Sequence, residues 1–266
     1  MLIRYLDNCK ENENAMIDFA LVFVSLNIGI LVGAVGVGGI LLPPALTMIV
    51  GVSLHQSMAT SLFTFIFTGI VGTIYFHRKG SIDWALVKPV CSSAAVAGFL
   101  GGWTNAYLST TTLSLTLSVI IILAGAYTSK ADQRKQDILF EHHPQRQMLL
   151  LAGIGALAGF ASGLAGVGGP VLSVPLMVMC GFPIMRAIGV SQVLQVVSAV
   201  SGTAANLQFG TIDFGLASFI TVFEVSGVLL GAYLIHRMDT QLVKKFVGIL
   251  CLAIGIIFLF RTPINQ

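Results

Sequence analysis

Charged residues are scarce in this chain: they make up 9% of its 266 residues, whereas hydrophobic residues make up 56%. Soluble domains carry about a quarter charged residues, so this composition excludes an ordinary soluble protein. The net charge is only +3, and the basic residues are scattered between apolar runs instead of forming a nucleic-acid-binding patch. We therefore predict a protein of the lipid bilayer that has no nucleic-acid partner.

Cysteines and catalytic motifs are also scarce. The four cysteines are far apart and lack metal-ligand spacing. The sequence has no nucleophile elbow, no His-Glu zinc motif and no complete nucleotide-binding motif. We therefore expect no metal, no cofactor and no enzymatic activity.

Apolar runs fill most of the chain and predict an all-α, multi-pass protein of the cell membrane. Eight runs have the length or near-length of a helical bilayer crossing, about 17–25 residues. The shorter runs Ile40–Val50 and Val171–Gly181 do not cross easily. The polar start of the chain, residues 1–15, is not expected to be a signal peptide. The eight runs are Ile17–Val35, Met58–Phe76, Trp84–Tyr107, Leu113–Tyr127, Met148–Ala165, Ala187–Ala205, Phe214–Ile235 and Phe246–Phe260.

One glycine-rich stretch occurs twice, as GAVGVGGILLPP from Gly33 and as GLAGVGGPVLSVP from Gly163. The offset of 130 also places Gly72-Thr73 on Gly202-Thr203, and the Gly80–Asp83 turn on the Gly210–Asp213 turn. We call residues 130 positions apart repeat equivalents. The predicted organisation is a polar leader (1–15), a first transmembrane repeat (16–128), a charged linker (129–146) and a second transmembrane repeat (147–266).

Equivalent loops of the two halves differ in charge. His77-Arg78-Lys79 is basic, whereas its equivalent Leu207-Gln208-Phe209 is not. This alternation is expected if equivalent loops lie on opposite sides of the membrane. We therefore predict two inverted repeats, each made of a Gly-rich broken-helix hairpin and three transmembrane helices.

The inverted arrangement places every Lys and Arg on one side except Arg4, Lys10 and Arg261. The positive-inside rule makes that side cytoplasmic and both termini external. A plain eight-crossing arrangement divides the charges almost as well, so the alternation of equivalent loops carries the prediction.

The doubled Gly-x-Gly-Gly followed by apolar residues and proline resembles the TauE/SafE family of membrane transporters, the sulfite exporters. The Gly-x-Ile-Asp turns at Gly80 and Gly210 share this resemblance, which covers residues 17–260. It implies export of sulfite, sulfoacetate or a related organic anion, typically across a bacterial cytoplasmic membrane. In this sequence Ile40 and Pro170 stand where many family members have a further glycine, so these Gly-rich segments are expected to be tighter or stiffer than in those members.

Each Gly-rich break leaves main-chain groups that lipid cannot satisfy, so the break must be buried or must line a polar cavity. A half-helix that begins after such a break presents free N–H groups and the positive end of its dipole. Paired breaks of this kind indicate a transporter site near the bilayer midplane. Close packing through small residues and a weak phosphate-loop pattern are the alternatives. The predicted site glycines are Gly36, Gly38, Gly39, Gly166, Gly168 and Gly169.

Polar residues near the breaks complete the predicted site. Hydroxyl and amide donors suit a sulfonate oxygen, although such groups also bond within and between membrane helices. His55 and Arg186 are expected near helix ends, where they snorkel or screen entering anions. Asp83 and Asp213 are expected to cap helices. The predicted substrate contacts are Thr60, Ser61, Ser191, Gln192 and Gln195, and the second tier is Asn27, Thr73, Thr203 and Asn206.

Glu224 is the only charged residue in the middle of a predicted span. Ionised and unpaired there, it would cost about 2.5–3.5 kcal/mol. It is therefore expected to face the protein interior, where it either binds a coupling proton or makes an interhelical hydrogen bond.

Together these patterns predict a secondary transporter of small, sulfur-containing or organic anions. An anion channel with the same architecture is the first alternative, and a membrane-embedded enzyme or scaffold is the second. A coupling proton or other ion, and a homodimer, are compatible with the sequence.

Overall fold

The computed structural model describes residues 2–36, 38–109, 138–209 and 212–237, with scattered positions between 111 and 126 and between 249 and 260. Within these ranges side chains are described from Met16 onward, apart from those of residues 208 and 209. The predicted spans Leu113–Tyr127 and Phe246–Phe260 lie partly outside the described residues, as does the linker.

The part of the chain that the structure describes is helical, which confirms the predicted all-α class. Six of its helices are long and apolar enough to cross a membrane, so the chain is a multi-pass membrane protein. The residues predicted as a polar leader continue the first helix back to Leu2. The helices are α1 (Leu2–Val35), a 3₁₀ turn (Gly38–Leu41), α2 (Leu42–Ile49), α3 (Leu54–Arg78), α4 (Trp84–Asn105), α5 (Pro144–Ala165), α6 (Pro170–Met179), α7 (Ile184–Phe209) and α8 (Phe214–Ile235).

Helix boundaries repeat at the offset of 130 residues. Helices α3 and α7 begin at repeat equivalents, and α4 and α8 both begin and end at repeat equivalents. Asp83 caps α4 by accepting a hydrogen bond from the Ala85 N–H at 3.1 Å. Asp213 caps α8 in the same way through the Leu216 N–H at 2.9 Å. Both predicted caps are confirmed.

Glycine ends the first helix of each half. Gly36 (φ 79°) follows α1 and Gly166 (φ 65°) follows α5, and only glycine adopts this left-handed conformation at little cost. Each N–H still bonds back into its helix, to Val32 O at 3.0 Å and to Ser162 O at 2.9 Å. The chain then enters a short helix, and Pro170 starts α6 because a first helical residue needs no N–H acceptor.

Helix α3 runs antiparallel to α4 and parallel to α8. The start of α3 contacts the end of α4, where His55 Nδ1 lies 3.1 Å from Asn105 Oδ1. Phe63 packs on Phe214 at the start of α8, with ring centroids 5.3 Å apart. Further along α3, Phe76 packs beside His236, just past the end of α8. The equivalent helices α4 and α8 therefore run in opposite directions.

Helices α3 and α7 are also equivalent, and they cross antiparallel. Gly202 lies against the Leu62 side chain, and Gly72 lies against the Gln192 amide. The first contact joins the N-terminal half of α3 to the C-terminal half of α7. The second joins the C-terminal half of α3 to the N-terminal half of α7. The two helices pack face to face at the centre of the described fold.

Small residues let the halves interlock through two matched crossings. Gly29 of α1 packs on the main-chain carbonyl of Glu224 in α8. Its equivalent Gly159 of α5 packs on the main chain of Ala94 in α4, and 94 is the equivalent of 224. A side chain at either glycine would overlap that backbone, so the close approach requires glycine. The first helix of each half thus packs against a helix of the other half.

Candidate functional site

The two Gly-rich breaks, which we call the tips, meet inside the protein. The first tip contains Gly36, Gly38 and Gly39, and the second spans residues 166–169. A Cβ built on Gly36 would stand 2.9 Å from Pro170 Cβ, and one built on Gly39 would stand 2.9 Å from the Val167 carbonyl oxygen. Two segments 130 residues apart are therefore in direct contact.

Phe65 of α3 lies between the tips and is fully buried. A Cβ at Gly39 would approach Phe65 Cζ to 2.9 Å, and one at Gly168 would lie 3.5 Å from Phe65 Cδ2. Sequence reasoning missed Phe65 because an aromatic residue in an apolar run looks like ordinary core. Its repeat equivalent is Gln195, and that relation was the available signal.

Gln195 of α7 faces Phe65 across the α3–α7 crossing. Its Nε2 donates to Thr68 Oγ1 at 2.9 Å and to the Phe65 carbonyl oxygen at 3.4 Å. The side chain is 2% exposed, and both amide protons are donated to protein acceptors in this conformation. The predicted donor is therefore beside the tips and would have to exchange partners to bind an anion.

The short helices after the tips begin without side-chain caps. Neither Leu41 at the start of α2 nor Gly169 at the start of α6 offers a side-chain acceptor. The first N–H groups of a helix have no acceptor within the helix, and the dipole adds partial positive charge there. Both starts are buried. Proline has no N–H, and prolines occupy positions 43 and 44 of α2 and position 170 of α6. The remaining first-turn N–H groups are those of Leu42 in α2 and of Val171 and Leu172 in α6.

Two further predicted contacts reach the tips. Ser191 is 2.7 Å from Ser173, whose hydroxyl donates to the Gly169 carbonyl at 3.1 Å. Gln192 Nε2 donates at 3.1 Å to the carbonyl of Val32, in the last turn before the first tip. Gln192 Oε1 has no hydrogen-bond partner among the described residues. A buried unpaired acceptor costs about 1–3 kcal/mol of stability. Gln192 therefore carries an unsatisfied acceptor within this cluster.

Thr60 and Ser61 are buried but are engaged elsewhere. The Ser61 hydroxyl donates to the Ser57 carbonyl at 2.7 Å. Thr60 Oγ1 accepts from the Asp213 N–H at 3.4 Å, at the start of α8. In the second tier, Thr73 Oγ1 and its equivalent Thr203 Oγ1 are buried without a partner among the described residues.

His55 and Arg186 lie near the starts of α3 and α7, at opposite ends of the fold. Arg186 Nη1 is 3.7 Å from Asp83 Oδ2, and its side chain is 55% exposed. An exposed pair of this kind contributes about 0–1 kcal/mol. His55 is tied to Asn105, whose Nδ2 also donates to the Leu164 carbonyl next to the second tip.

Comparison with known proteins agrees with this architecture. Residues 21–258 match the model of the family described as sulfite exporter TauE/SafE. The probable membrane transporter protein YdhB of Bacillus subtilis is 25% identical over 248 residues, covering 90% of this chain and 99% of that protein. A probable membrane transporter protein of Methanocaldococcus jannaschii is 25% identical over 72% of this chain and 73% of its own length. No solved structure matches. The chain belongs to the TauE/SafE sulfite exporter family of membrane transporters.

Proposed function

We propose that this protein is a secondary transporter that exports small anions, namely sulfite, sulfoacetate or a related organosulfonate. The observation that carries the proposal is that the two tips, each leading into a short helix without a side-chain cap, meet against Phe65. Buried main-chain N–H donors at helix starts bind oxyanions without a cationic side chain. Membrane transporters use paired broken helices for this purpose.

We further propose that the halves are inverted repeats that exchange roles as the site opens to alternate sides. Support comes from the opposite directions of the equivalent helices α4 and α8, and of α3 and α7. The described residues of the two tips contact each other and Phe65, which favours a carrier with a closed site over a channel with a continuous polar path.

The test of this function is flux into proteoliposomes containing the purified protein, with sulfite, sulfoacetate, taurine and thiosulfate as the panel. At least one sulfur oxyanion should enter with a rate that saturates with concentration and is inhibited by the unlabelled anion. Protein-free liposomes are the control. Flux that rises linearly with concentration would support the channel instead, and no flux of any panel member would contradict the proposal.

The distribution of charge supports a cytoplasmic location for one end of the fold. Arg186 pairs with Asp83, and Ser81 lies 3.4 Å from His236, so the α3–α4 turn, the start of α7 and the end of α8 share one end. The Leu139 N–H bonds to the Cys180 carbonyl near the start of α7, which places the described end of the linker, from residue 138 onward, at this end. Every described Lys and Arg side chain lies here, in Arg78, Lys79, Lys88, Arg146, Arg186 and Arg237.

We therefore predict that Lys79 is cytoplasmic and Tyr107 external. In a Cys-less background in intact cells, a membrane-impermeant maleimide should label Tyr107→Cys and should label Lys79→Cys only after permeabilisation. Both positions are exposed at helix ends, so accessibility within the protein does not bias the result. The reverse labelling pattern would refute the orientation.

A further inference from the structure

Glu224 is a fully buried carboxyl group that the proposed anion site does not use. It lies in α8 and is 0% exposed. The Thr64 hydroxyl lies beside it but donates to the Ser61 carbonyl at 2.9 Å. Neither carboxyl oxygen therefore has a hydrogen-bond partner among the described residues. An interior position is confirmed for this residue, and the Thr64 hydroxyl of α3 is close enough to donate an interhelical hydrogen bond to it by rotating away from Ser61.

The fold itself does not require a carboxyl group at this position. Glu224 stands where α8 crosses α1 at Gly29, and Ala94 stands at the matched crossing of α4 on Gly159. The alanine crossing is also too close for a side chain on the facing glycine, and Ala94 is also fully buried. The Gly159–Ala94 crossing of the other repeat therefore shows that helices can pack in this way without a carboxylate.

Among the described side chains, no fixed countercharge lies near Glu224. The nearest titratable side chains on the packed helices are Asp18 on α1, His55 and Tyr75 on α3, and Tyr233 on α8. Each is at least nine residues along its helix from Gly29, Thr64 or Glu224, about 13 Å at 1.5 Å per residue. Runs 111–127 and 246–260 contain no Asp, Glu, His, Lys or Arg. A proton is the remaining means of neutralising the group in the membrane interior.

A hydroxyl-bearing face of α3 joins Glu224 both to the tips and to one end of the fold. Thr64 is the residue beside Glu224, and one turn later Thr68 accepts the hydrogen bond from Gln195 at 2.9 Å. In the other direction Ser61 and Ser57 continue the face toward the start of α3 at Leu54. All four hydroxyl residues are 0% exposed, and their spacing of four, three and four residues keeps them on one side of the helix.

We propose that Glu224 is the binding site of the coupling proton, an inference that rests on the proposed transport function. The carboxylate accepts a proton from the side to which the site is open, and an O–H bond forms. The neutral acid is carried through the closed state, and the O–H bond breaks when the site opens to the other side. Movement of α1 over α8 at the Gly29 crossing, or of α3 at Thr64, would change the solvent access of the carboxyl group.

The transport test uses proteoliposomes with labelled sulfoacetate, whose acidic groups stay ionised between about pH 6 and 8. With the membrane potential held at zero by potassium and valinomycin, a pH gradient of one unit should drive about tenfold accumulation for one proton per anion. Glu224→Gln should lose this accumulation yet still exchange labelled for unlabelled sulfoacetate at equal pH. Ser226→Ala, exposed on the same helix, is the matched control and should behave like the unmodified protein.

Glu224→Ala separates coupling from folding, because it recreates the Ala94 crossing and should remain folded and exchange-competent. Gradient-driven accumulation that persists in both Glu224 variants would overturn the proposal.

A measurement without substrate separates this inference from the anion function. Infrared difference spectra of the purified protein across a pH titration should show a protonated-carboxyl band typical of apolar surroundings. The band should be lost in Glu224→Gln and retained in Ser226→Ala. If the band behaves so but no panel anion is carried, the transport function fails and the proton site stands. A titration that is identical in the unmodified protein and in Glu224→Gln would refute the proton site whatever the flux results.

Discussion

Gly168→Ala is expected to lower anion transport at least tenfold while the folded protein remains in the membrane. Gly168 belongs to the second tip and has φ 76°. A Cβ built on it would stand 3.5 Å from Phe65 Cδ2. The new methyl group meets only ordinary contacts, so the fold can accept it at the cost of a left-handed residue, about 1–2 kcal/mol. It would, however, fill the space beside the Phe65 ring and Pro170, where we expect the anion to approach the start of α6. Loss of one charge-assisted hydrogen bond, about 1.5–3 kcal/mol, corresponds to a tenfold or larger effect.

The measurement is saturable uptake into proteoliposomes, with folding checked by size-exclusion chromatography and thermal unfolding. Gly153→Ala is the matched control, because Gly153 lies in α5 with nothing within 4 Å of its would-be Cβ. Gly169→Leu is the harsher companion, since a side chain there runs into Leu194. Normal transport by Gly168→Ala and Gly169→Leu would mean that the tips only pack helices and that the anion binds elsewhere.

Phe65→Ala is expected to have the largest combined effect on stability and transport. The ring fills the space between the tips and is fully buried. Its removal should lower the free energy of unfolding by about 3–5 kcal/mol, as for other buried aromatic residues. The tips would lose a buried side chain that packs against both of them, so we expect anions to leak without saturation and gradient-driven accumulation to disappear.

Phe67→Ala provides the comparison for Phe65→Ala. Phe67 lies two residues along the same helix and is 42% exposed, so its truncation removes less buried packing than that of Phe65. Denaturant unfolding in detergent and uptake in proteoliposomes would both be measured. Equal effects of the two substitutions, or saturable uptake that survives in Phe65→Ala, would exclude a role for Phe65 in closing the site.

Local chemistry made much of the fold predictable from the sequence. The shortage of charge required membrane helices, and the doubled glycines located both breaks within a residue or two. Asp83 and Asp213 were recognisable as caps because a carboxylate before an apolar run satisfies free N–H groups. Gln192 and Gln195 stood out because buried amides need partners. Each of these inferences depends on a residue and its near neighbours along the chain.

Contacts between distant segments were not predictable in the same way. Nothing local to Gly29 indicates that it packs on Glu224 of the other half, since small residues serve many helix pairs. Phe65 reads as core until the tips are seen to close around it. Thr60 and Ser61 were expected at the site, but their hydroxyl groups bond to the start of α8 and to their own helix. Which face of α3 turns toward the tips depends on the packing of α7.

The most direct test of an anion carrier closed at the tips is counterflow in proteoliposomes. Vesicles preloaded with unlabelled sulfite or sulfoacetate are diluted into a trace of the labelled anion, with no pH gradient and no membrane potential. A carrier that binds the anion on one side at a time should accumulate label transiently above its equilibrium level, and Gly168→Ala should abolish this overshoot. Label that rises smoothly to equilibrium without an overshoot would contradict the carrier mechanism.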